Sequence, residues 1–370
     1  MTEPNTRAAV AAARRLVVKV GSSALTTAHD GLDADRLDTL VDGIAGRVSR
    51  DSQVVLVSSG AIGAGIAPLG LRARPRDLVT QQAAASVGQL SLAHAYSESF
   101  RRHGLRVGQV LLTADDVVRR AHYRNAQRTL SRLLMLGVVP VINENDTVAT
   151  EEIRFGDNDR LAALVAHLVG ADALILLSDV DALYDGDPRQ GATRRISEVT
   201  AESELAGLRV GKSSSGLGTG GMLSKVSAAS TAAAAGIPVL LAAAAHAEDA
   251  LGAAEVGTAF QAAKSRLSAR RFWLGYAAGP VGRLHLDDGA VAAVVRRRRS
   301  LLAAGITGVE GEFEAGDVVD LVDPAEQLVA RGVVAFDAVE LPSLIGYSSR
   351  DLAPEQRREV VHADDLVPLR

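Results

Sequence analysis

Short apolar runs rich in β-branched residues alternate with longer helix-compatible stretches through the first two-thirds of the chain. The apolar runs predict buried strands at residues 16–20, 54–57, 107–112, 138–142, 173–177 and 237–241. The stretches between them predict helices at residues 34–48, 77–102, 124–136, 159–169 and 223–235. Strands that alternate with helices favour an α/β fold, in which helices cover both faces of a mainly parallel sheet.

The residues that directly follow these strands are small, glycine-rich or acidic. They are residues 21–23, 58–60, 143–146 and 178–179. In sheets of this kind, ligands bind at the carboxyl ends of the strands. The sequence therefore predicts a ligand site at one edge of the sheet.

Composition excludes several other classes of protein. A hydrophobic share of 47% and a charged share of 23% are those of a globular protein and not of a disordered one. The lack of cysteine excludes disulfides and thiolate metal sites, and it fits the cytoplasm, where we expect the chain to reside. The eight histidines are scattered without metal-ligand spacing, and the net charge of −4 gives no overall attraction to nucleic acid or to a membrane.

One alanine-rich stretch, residues 226–245, is long enough to suggest a membrane span. Gly236 and Pro238 interrupt it, so a helix, a turn and a strand are the better prediction. The N-terminus carries Glu3 and has charges within its apolar run, which is not typical of a secretion signal. We therefore expect no membrane association.

The pattern changes from about Arg266 onward to short alternating segments separated by glycine turns. Segments at residues 283–286, 317–322 and 333–336 predict the strands of a small β-rich second domain. Residues 262–279 form the expected junction. A length of 370 residues also favours two domains over one.

The segment from Ser215 to Lys225, SGLGTGGMLSK, is rich in glycine and ends in lysine. It contains a GxGxxG pattern, but polar residues precede it where a dinucleotide-binding fingerprint needs an apolar strand. It is not a Walker A loop either, because Met222 stands where lysine should follow Gly221. Free backbone amides that lead into a helix with an early lysine suit phosphate oxygens, whereas a solvated glycine linker is the alternative.

Lys19 lies inside the first predicted strand, within VVKVGSS. A lysine in a strand interior is costly unless it reaches an anionic partner. Beside the turn at residues 21–23 it can point at a phosphate. The alternative is an edge-strand lysine whose side chain extends to water, and the residues alone leave both interpretations open.

Further polar motifs follow other strands. In NEND, residues 143–146, Asp146 can hold an ammonium group, or the residues form an Asx turn. GDND, residues 156–159, precedes an apolar helical pattern, so one of its side chains predicts an N-cap, and the others stay free to bind substrate or to steer the lysines. SSGAIGAG, residues 58–65, offers amides and hydroxyls to an anion, or tight packing alone. Asp179 and Asp181, which follow LILLS, can contact a nucleotide or its magnesium ion, or they are turn residues at the end of a strand.

Taken in order, these motifs closely resemble those of the glutamate 5-kinase family, in its long form with a C-terminal PUA domain, over nearly the whole length. The resemblance is carried by VVKVGSSALT at 17–26, SSGAIGAG at 58–65, VINENDTVAT at 141–150, FGDND at 155–159, LLSDVDALY at 176–184 and GLGTGGMLSK at 216–225. It implies an amino-acid-kinase domain at residues 1–262, a linker at 263–280 and a PUA domain at 281–367.

The resemblance implies transfer of the γ-phosphoryl group of ATP, accompanied by Mg²⁺, to the side-chain carboxylate of L-glutamate. The product is L-glutamyl 5-phosphate, and the reaction is the first step of proline biosynthesis. It further implies feedback inhibition by proline and a homo-oligomer. Phosphoryl transfer to a carboxylate needs alignment and charge neutralisation, but no general base, because the nucleophile is ionised at neutral pH.

Specific residues carry these roles by resemblance. Lys19 and Lys225 are catalytic and approach the phosphates, and Asp159 orients them. The residues implied in ATP binding are Lys19, Ser178, Asp179, Thr219, Gly220, Gly221, Met222, Leu223, Ser224 and Lys225. The residues implied in glutamate binding are Ser59, Asp146 and Asn158. No metal-ligating residue is implied. Two small departures from the usual family wording are Ser22, commonly threonine, and Ala182, commonly glycine.

Two other functions fit parts of the sequence. PUA domains are best known from RNA-modifying enzymes, and residues 296–299 are four arginines. A short basic run is more often a solvated helix end, and stacking aromatics are sparse, so RNA binding is the less favoured interpretation. Acetylglutamate kinases share the phosphate chemistry, but the acidic NEND motif and the appended domain favour free glutamate as substrate.

Overall fold

The computed structural model of the protein describes residues 5–27, 31–113, 116–117, 119–148, 158–186, 193–200, 221–252, 256–348 and 350–369. The chain divides into two compact units, Met1–Arg266 and Leu267–Arg370. Among the helices of the described ranges, none is both long and apolar enough to cross a membrane.

An eight-stranded sheet forms the centre of the first unit. Its strands, numbered along the chain and given in their order across the sheet, are β10 (Glu198–Val199), β12 (Thr258–Phe260), β11 (Val239–Ala243), β7 (Ala173–Ser178), β1 (Arg15–Val20), β4 (Gln53–Val57), β6 (Val138–Glu144) and β5 (Arg106–Leu112). The six strands from β11 to β5 are mutually parallel, whereas β12 is antiparallel to β11. The prediction of a mainly parallel sheet is therefore confirmed. Two short hairpins accompany it, β2 (Thr26–Thr27) with β3 (Gly31–Leu32) and β8 (Leu183–Tyr184) with β9 (Arg195–Ile196).

Helices flank this sheet, as the alternating pattern predicted. The helices of the described part of the first unit are α1 (Thr6–Ala12), α2 (Ser22–Leu25), α3 (Ala34–Val48), α4 (Ala61–Ile66), α5 (Leu78–Arg101), α6 (Arg120–Met135), α7 (Asn158–Leu168), α8 (Met222–Ala234) and α9 (Ala247–Leu251). The observed bounds of α3 are those predicted. The carboxylate of Asp33 caps this helix by accepting a hydrogen bond from the Arg36 amide, and Leu37, Val41 and Ile44 bury its apolar face.

The alanine-rich stretch at residues 226–245 is a helix, a turn and a strand, as predicted. The strand begins at Val239 and not at residue 237, because the Ile237 amide still bonds to the Ala232 carbonyl at the end of α8. Gly236 allows this helix ending through its φ of +85°. Helix α6 begins at Arg120, one turn before the predicted start at residue 124.

Helices α4 and α5 cross with their backbones in direct contact. A Cβ atom on Gly88 would lie 1.8 Å from the Ala61 carbonyl oxygen, and one on Gly65 would lie 1.9 Å from the Ala84 carbonyl oxygen. Only glycine permits this approach. The crossing fixes α4, and with it the turn at residues 58–60 that precedes α4, against the long helix α5.

The second unit contains a five-stranded sheet, which confirms the predicted β-rich domain. Across the sheet its strands are β14 (Ile306–Gly311), β13 (Gly282–Leu286), β15 (Val318–Val322), β16 (Leu328–Val334) and β17 (Val361–Pro368). The unit also contains the short helices α10 (Ala269–Phe272) and α11 (Asp288–Val291).

One strand prediction in the second unit was largely wrong. The strand predicted at residues 333–336 is the end of β16, which begins five residues earlier at Leu328. Arg331 and Gly332 interrupt the apolar alternation of this strand. The structure accommodates the charge of Arg331 through a 2.7 Å ion pair with Asp320 on the neighbouring strand β15. The four arginines at residues 296–299 are exposed, and the first of them, Arg296, is the last residue of a helical turn, in agreement with a solvated helix end.

Candidate active site

The carboxyl ends of β7, β1, β4 and β6 lie side by side in the middle of the sheet. The polar residues that follow these strands therefore meet at one edge, as predicted. Lys19 is on β1, between β4 and β7, and only 4% of its surface is exposed. Because β1 is a central strand, the edge-strand interpretation of Lys19 was wrong.

The Lys19 ammonium group is held by Asp159, which lies in the first turn of α7. Lys19 Nζ is 2.6 Å from Asp159 Oδ1, and Lys225 Nζ donates to Asp159 Oδ2 at 3.2 Å. The Ser224 hydroxyl donates to the same Oδ2 at 3.0 Å. The structure thus brings together Lys19, Asp159 and Lys225, the three predicted catalytic residues, which we call the lysine–aspartate cluster.

All three members of the lysine–aspartate cluster are buried. Burial by itself raises the pKa of the Asp159 carboxyl, but the charges and hydrogen bonds of Lys19 and Lys225 outweigh it and hold that pKa below its ordinary value. The cluster therefore contains two ammonium groups against one carboxylate. Its excess positive charge, held away from bulk water, suits an anionic group such as a phosphate.

Lys225 reaches the cluster from the first turn of α8, which begins at Met222. Gly221 precedes this helix in an extended conformation and provides no side-chain cap. Leu223 points to solvent, with 67% of its surface exposed, whereas Met222 and Ser224 are half-buried. Two predicted ATP-binding residues, Thr219 and Gly220, lie outside the described residues, as does most of the segment from residue 215 onward.

The other predicted nucleotide residues, Ser178 and Asp179, lie at the carboxyl end of β7. Ser178 is buried, and its hydroxyl donates to Asp179 Oδ1 at 2.9 Å. Asp179 is exposed at the sheet edge. Register pairs Leu177, the residue before Ser178, with Val20 at the end of β1, so these residues lie close to the start of the turn after Lys19.

The predicted glutamate residue Ser59 lies in the turn between β4 and α4. Gly60 follows with a φ of +103°, a conformation that favours glycine, and α4 starts at Ala61. The Ser58 hydroxyl is buried, donates to the Ser59 carbonyl oxygen at 3.0 Å and lies 2.9 Å from the hydroxyl of Tyr96 on α5. Ser59 itself is half-buried.

Two residues of the NEND motif differ in their surroundings: the side chain of Asn143 is hydrogen-bonded within the protein, whereas Asp146 is half-buried at the ligand edge. Asn143 is buried on β6, where its Nδ2 donates to Gln89 Oε1 at 2.8 Å and its Oδ1 accepts from the Glu144 amide at 2.9 Å. Asp146 opens a 3₁₀ turn, Asp146–Val148. Burial raises the pKa of Asp146 to about 6, and the positive charge of Arg74 only partly offsets it.

The GDND motif begins outside the described residues, at residues 156 and 157, so its predicted N-cap is not described. Asn158 starts α7 next to Asp159. Its Oδ1 atom is buried, and within the described ranges it has no hydrogen-bond partner. A buried acceptor without a donor is costly, so this oxygen fits a donor group of a ligand.

Sequence reasoning missed several residues of this edge. Arg74 acts on Asp146, and Tyr96 contacts Ser58. A signal for the two cluster lysines was also available. Only four of the 40 lysine and arginine residues are lysines, namely Lys19, Lys212, Lys225 and Lys264. Lysine differs from arginine in carrying a compact point charge, so the rarity of lysine draws attention to these positions.

Comparisons with known proteins agree with this fold. The model of the amino acid kinase family matches residues 14–243, and that of the PUA domain matches residues 282–353. The chain is 64% identical over 364 residues to a glutamate 5-kinase of Rhodococcus opacus (strain B4), which covers 98% of this chain and 99% of that protein. It is 65% identical over 361 residues to a glutamate 5-kinase of Nocardia farcinica (strain IFM 10152), with 98% of each chain covered.

A solved structure of carbamate kinase from Giardia matches 68% of this chain and 100% of its own, with a TM-score of 0.50 and 16% identity. At this identity the match bears on the fold alone. The family match spans well over half of the chain and includes every member of the lysine–aspartate cluster. The chain belongs to the amino acid kinase family.

Proposed function

We propose that this protein transfers the γ-phosphoryl group of ATP to the side-chain carboxylate of L-glutamate, giving L-glutamyl 5-phosphate and ADP. The observation that carries the proposal is the buried lysine–aspartate cluster at the ligand edge of the sheet. The choice of glutamate rests on the relatives named glutamate 5-kinase, which are 64–65% identical to the chain.

Lys19 and Lys225 stabilise the charge on the transferred phosphoryl group. Asp159 holds both ammonium groups, so they need not reorganise when that charge shifts from the bridging oxygen of ATP toward the acceptor. Ser224 holds the same carboxylate in place. The acceptor carboxylate is ionised at neutral pH and needs no general base, which agrees with a cluster that contains no histidine.

Glutamate binds through Ser59, Asp146 and Asn158 in this proposal. The Asp146 carboxylate pairs with the α-ammonium group, and the buried Oδ1 of Asn158 accepts a hydrogen bond from the same ligand. Pairing with a cation also relieves the cost of an ionised carboxylate at the half-buried position of Asp146. The three residues follow β4, follow β6 and open α7, so they line the edge beside the cluster.

ATP binds on the other side, through Ser178 and Asp179 after β7 and through residues 219–225 at the start of α8. The first turn of α8 offers backbone amides and the positive end of the helix to phosphate oxygens. Bound Mg²⁺ supplies further charge neutralisation at the phosphates. We propose that Mg²⁺ is held mainly by the nucleotide. Within the described ranges no group of three or more histidine, aspartate or glutamate side chains could hold a metal ion.

The test is acyl-phosphate formation, trapped with hydroxylamine as the hydroxamate. We expect ATP-dependent hydroxamate with L-glutamate and none with N-acetylglutamate, because acetylation removes the ammonium group that Asp146 binds. The opposite preference would indicate an acetylglutamate kinase. Measuring the same reaction with added proline tests feedback inhibition, which we propose by resemblance to the family.

The remaining proposals concern the architecture. We propose a catalytic domain at residues 1–262, a linker at 263–280 and a PUA domain at 281–367, assembled as a homo-oligomer. RNA binding by the PUA domain is the less favoured second function. It is supported by the PUA match and by the exposed arginines at residues 296–299. If the protein does not bind structured RNA even at low salt, RNA binding is excluded.

A further inference from the structure

One face of α5 carries two polar side chains that contact the two neighbouring turns of the ligand edge. Gln89 and Tyr96 are seven residues apart, about two helical turns, so they lie on the same face. Gln89 accepts the hydrogen bond of Asn143 at the end of β6, and Tyr96 contacts Ser58 after β4. Strands β4 and β6 are neighbours in the sheet, so α5 spans both turns.

The direction of the bond between Tyr96 and Ser58 follows from counting hydrogens. The Ser58 hydroxyl has one hydrogen, which it donates to the Ser59 carbonyl oxygen at 3.0 Å. The Tyr96 hydroxyl, 2.9 Å from Ser58 Oγ, is therefore the donor in that pair. Burial raises the pKa of Tyr96, so the phenol keeps its proton throughout the neutral range.

The hydroxyl of Tyr96 has no role in apolar packing. Tyr96 is fully buried among apolar residues, with Phe100 one turn further along α5. A phenyl ring would fill this space equally well, and burying a hydroxyl costs free energy unless it is hydrogen-bonded. What the hydroxyl adds is a water-excluded chain of hydrogen bonds from α5 through Ser58 to the Ser59 peptide.

We infer that Tyr96 is a positioning residue that holds the turn at residues 58–60 in its glutamate-binding geometry. The inference rests on the proposed function, in which Ser59 contacts glutamate. Tyr96 acts through Ser58 and touches no substrate. The close α4–α5 crossing at Gly88 holds the start of α4, just after this turn, and the hydrogen bonds from Tyr96 through Ser58 hold the Ser59 peptide within the turn.

The test is the variant Tyr96→Phe in the full chain. Loss of one buried hydrogen bond should raise the KM for glutamate about 3- to 10-fold, while the KM for ATP stays within about twofold of the parent value. Ser58→Ala should give a similar rise. The double variant should have a KM for glutamate no higher than that of Ser58→Ala, because both substitutions break the same chain of hydrogen bonds.

Tyr123→Phe is the matched control. Tyr123 is also a buried tyrosine of the first unit, and its hydroxyl lies 3.4 Å from Nδ1 of His167. His167 is near the end of α7 opposite Asp159, so this pair is remote from the ligand edge. We expect this variant to keep the parent KM for both substrates.

Three results would overturn the inference. The first is a KM for glutamate in Tyr96→Phe that equals the value of the parent protein. The second is an equal rise of the KM for glutamate and the KM for ATP together with a lower melting temperature, because that result indicates a merely structural role. The third is full additivity with Ser58→Ala. A parent chain that shows no glutamate-dependent turnover would instead contradict the proposed function itself, and the inference would fall with it.

Discussion

Asp159 carries a charge that the fold can bury only because two lysines share it. Its carboxylate is 1% exposed, and its pKa is held below the ordinary value despite burial. A depressed pKa in the folded state contributes stability above the unfolded pKa of about 4. That contribution is lost as the pH falls through the lower, folded pKa. The cluster is thus stable at neutral pH, where the proposed reaction takes place.

Replacing Lys225 by alanine should affect turnover more than substrate binding. The variant removes one of the two ammonium groups that stabilise the transition state, so we expect kcat at saturating ATP to fall at least about 100-fold. Lys264→Ala is the control, since Lys264 is an exposed lysine of the same unit. The hydroxamate assay measures both variants. A near-parent kcat in Lys225→Ala would remove its role in the transition state.

Asp146 should make glutamate binding depend on pH. Its pKa is raised to about 6, so below pH 6 the free protein increasingly carries a neutral carboxyl that cannot pair with the ammonium group. We expect the Kd for glutamate, measured by calorimetry without nucleotide, to rise about tenfold per pH unit below 6. Above pH 6 it should be constant.

Two variants test whether Asp146 is the group that titrates. In Asp146→Asn, glutamate binding should be weaker at neutral pH, and the inflection near pH 6 should disappear. Asp51→Asn changes an exposed carboxylate, 93% accessible at its side chain, and should leave the inflection in place. An inflection that persists in Asp146→Asn would assign it to another group.

At the scale of the elements, the α4–α5 crossing determines where the turn after β4 lies. Gly88→Ala would place its Cβ 1.8 Å from the Ala61 carbonyl oxygen and 2.4 Å from the Gly65 amide nitrogen. Both are backbone atoms, so the helices must separate. We expect a loss of about 1–3 kcal/mol in the free energy of unfolding, and a higher KM for glutamate because α4 moves with the turn.

The control substitution should change the free energy of unfolding in the opposite direction. Gly46 lies inside α3, and a Cβ there would meet no atom within 4 Å. Gly46→Ala should therefore stabilise the protein by roughly 0.5–1 kcal/mol through helix propensity alone. Urea unfolding of both variants measures the difference. Equal effects of the two substitutions would show that the α4–α5 contact does not limit stability.

The elements themselves were largely predictable, because their signals are local. Helix α3 has a capping aspartate and an uninterrupted apolar face, and its bounds were predicted correctly. Strand β16 was placed wrongly because its apolar alternation is broken by Arg331, whose charge is neutralised by Asp320 on the neighbouring strand. An ion pair between neighbouring strands cannot be predicted from the residues of one strand alone.

The site was predictable in its residue types but less so in its geometry. Whether Lys19 is central or at an edge depends on strand order, which is set by long-range pairing, so the residues alone left the question open. Resemblance to a family placed Asp159 between the lysines. Tyr96 was missed, since a single hydroxyl on a helix gives no signal until its partner is known. Ser224 was predicted to bind ATP, but its bond to Asp159 was not predicted.

At the scale of the whole molecule, the two units have separate cores and separate sheets. The apolar core around β1 and α3 consists of residues up to 259, and that of the second unit begins at Leu284. All proposed catalytic and substrate-binding residues lie between residues 19 and 225. The first unit thus has both a complete core and the complete proposed site.

A chain ending at Arg266 should therefore fold and keep glutamate-dependent turnover. Arg266 itself belongs to the first unit, because its guanidinium donates to the Ala171 carbonyl at 2.7 Å and its backbone lies against Gly236. A chain ending at Gly252 is the control. It lacks β12, which pairs with both β10 and β11, and it lacks Thr258, whose hydroxyl accepts the Leu183 amide. We expect the shorter chain to be unfolded by circular dichroism and inactive in the hydroxamate assay. If the chain ending at Arg266 is folded but inactive, the second unit contributes to catalysis, and the first unit is not sufficient for the proposed reaction.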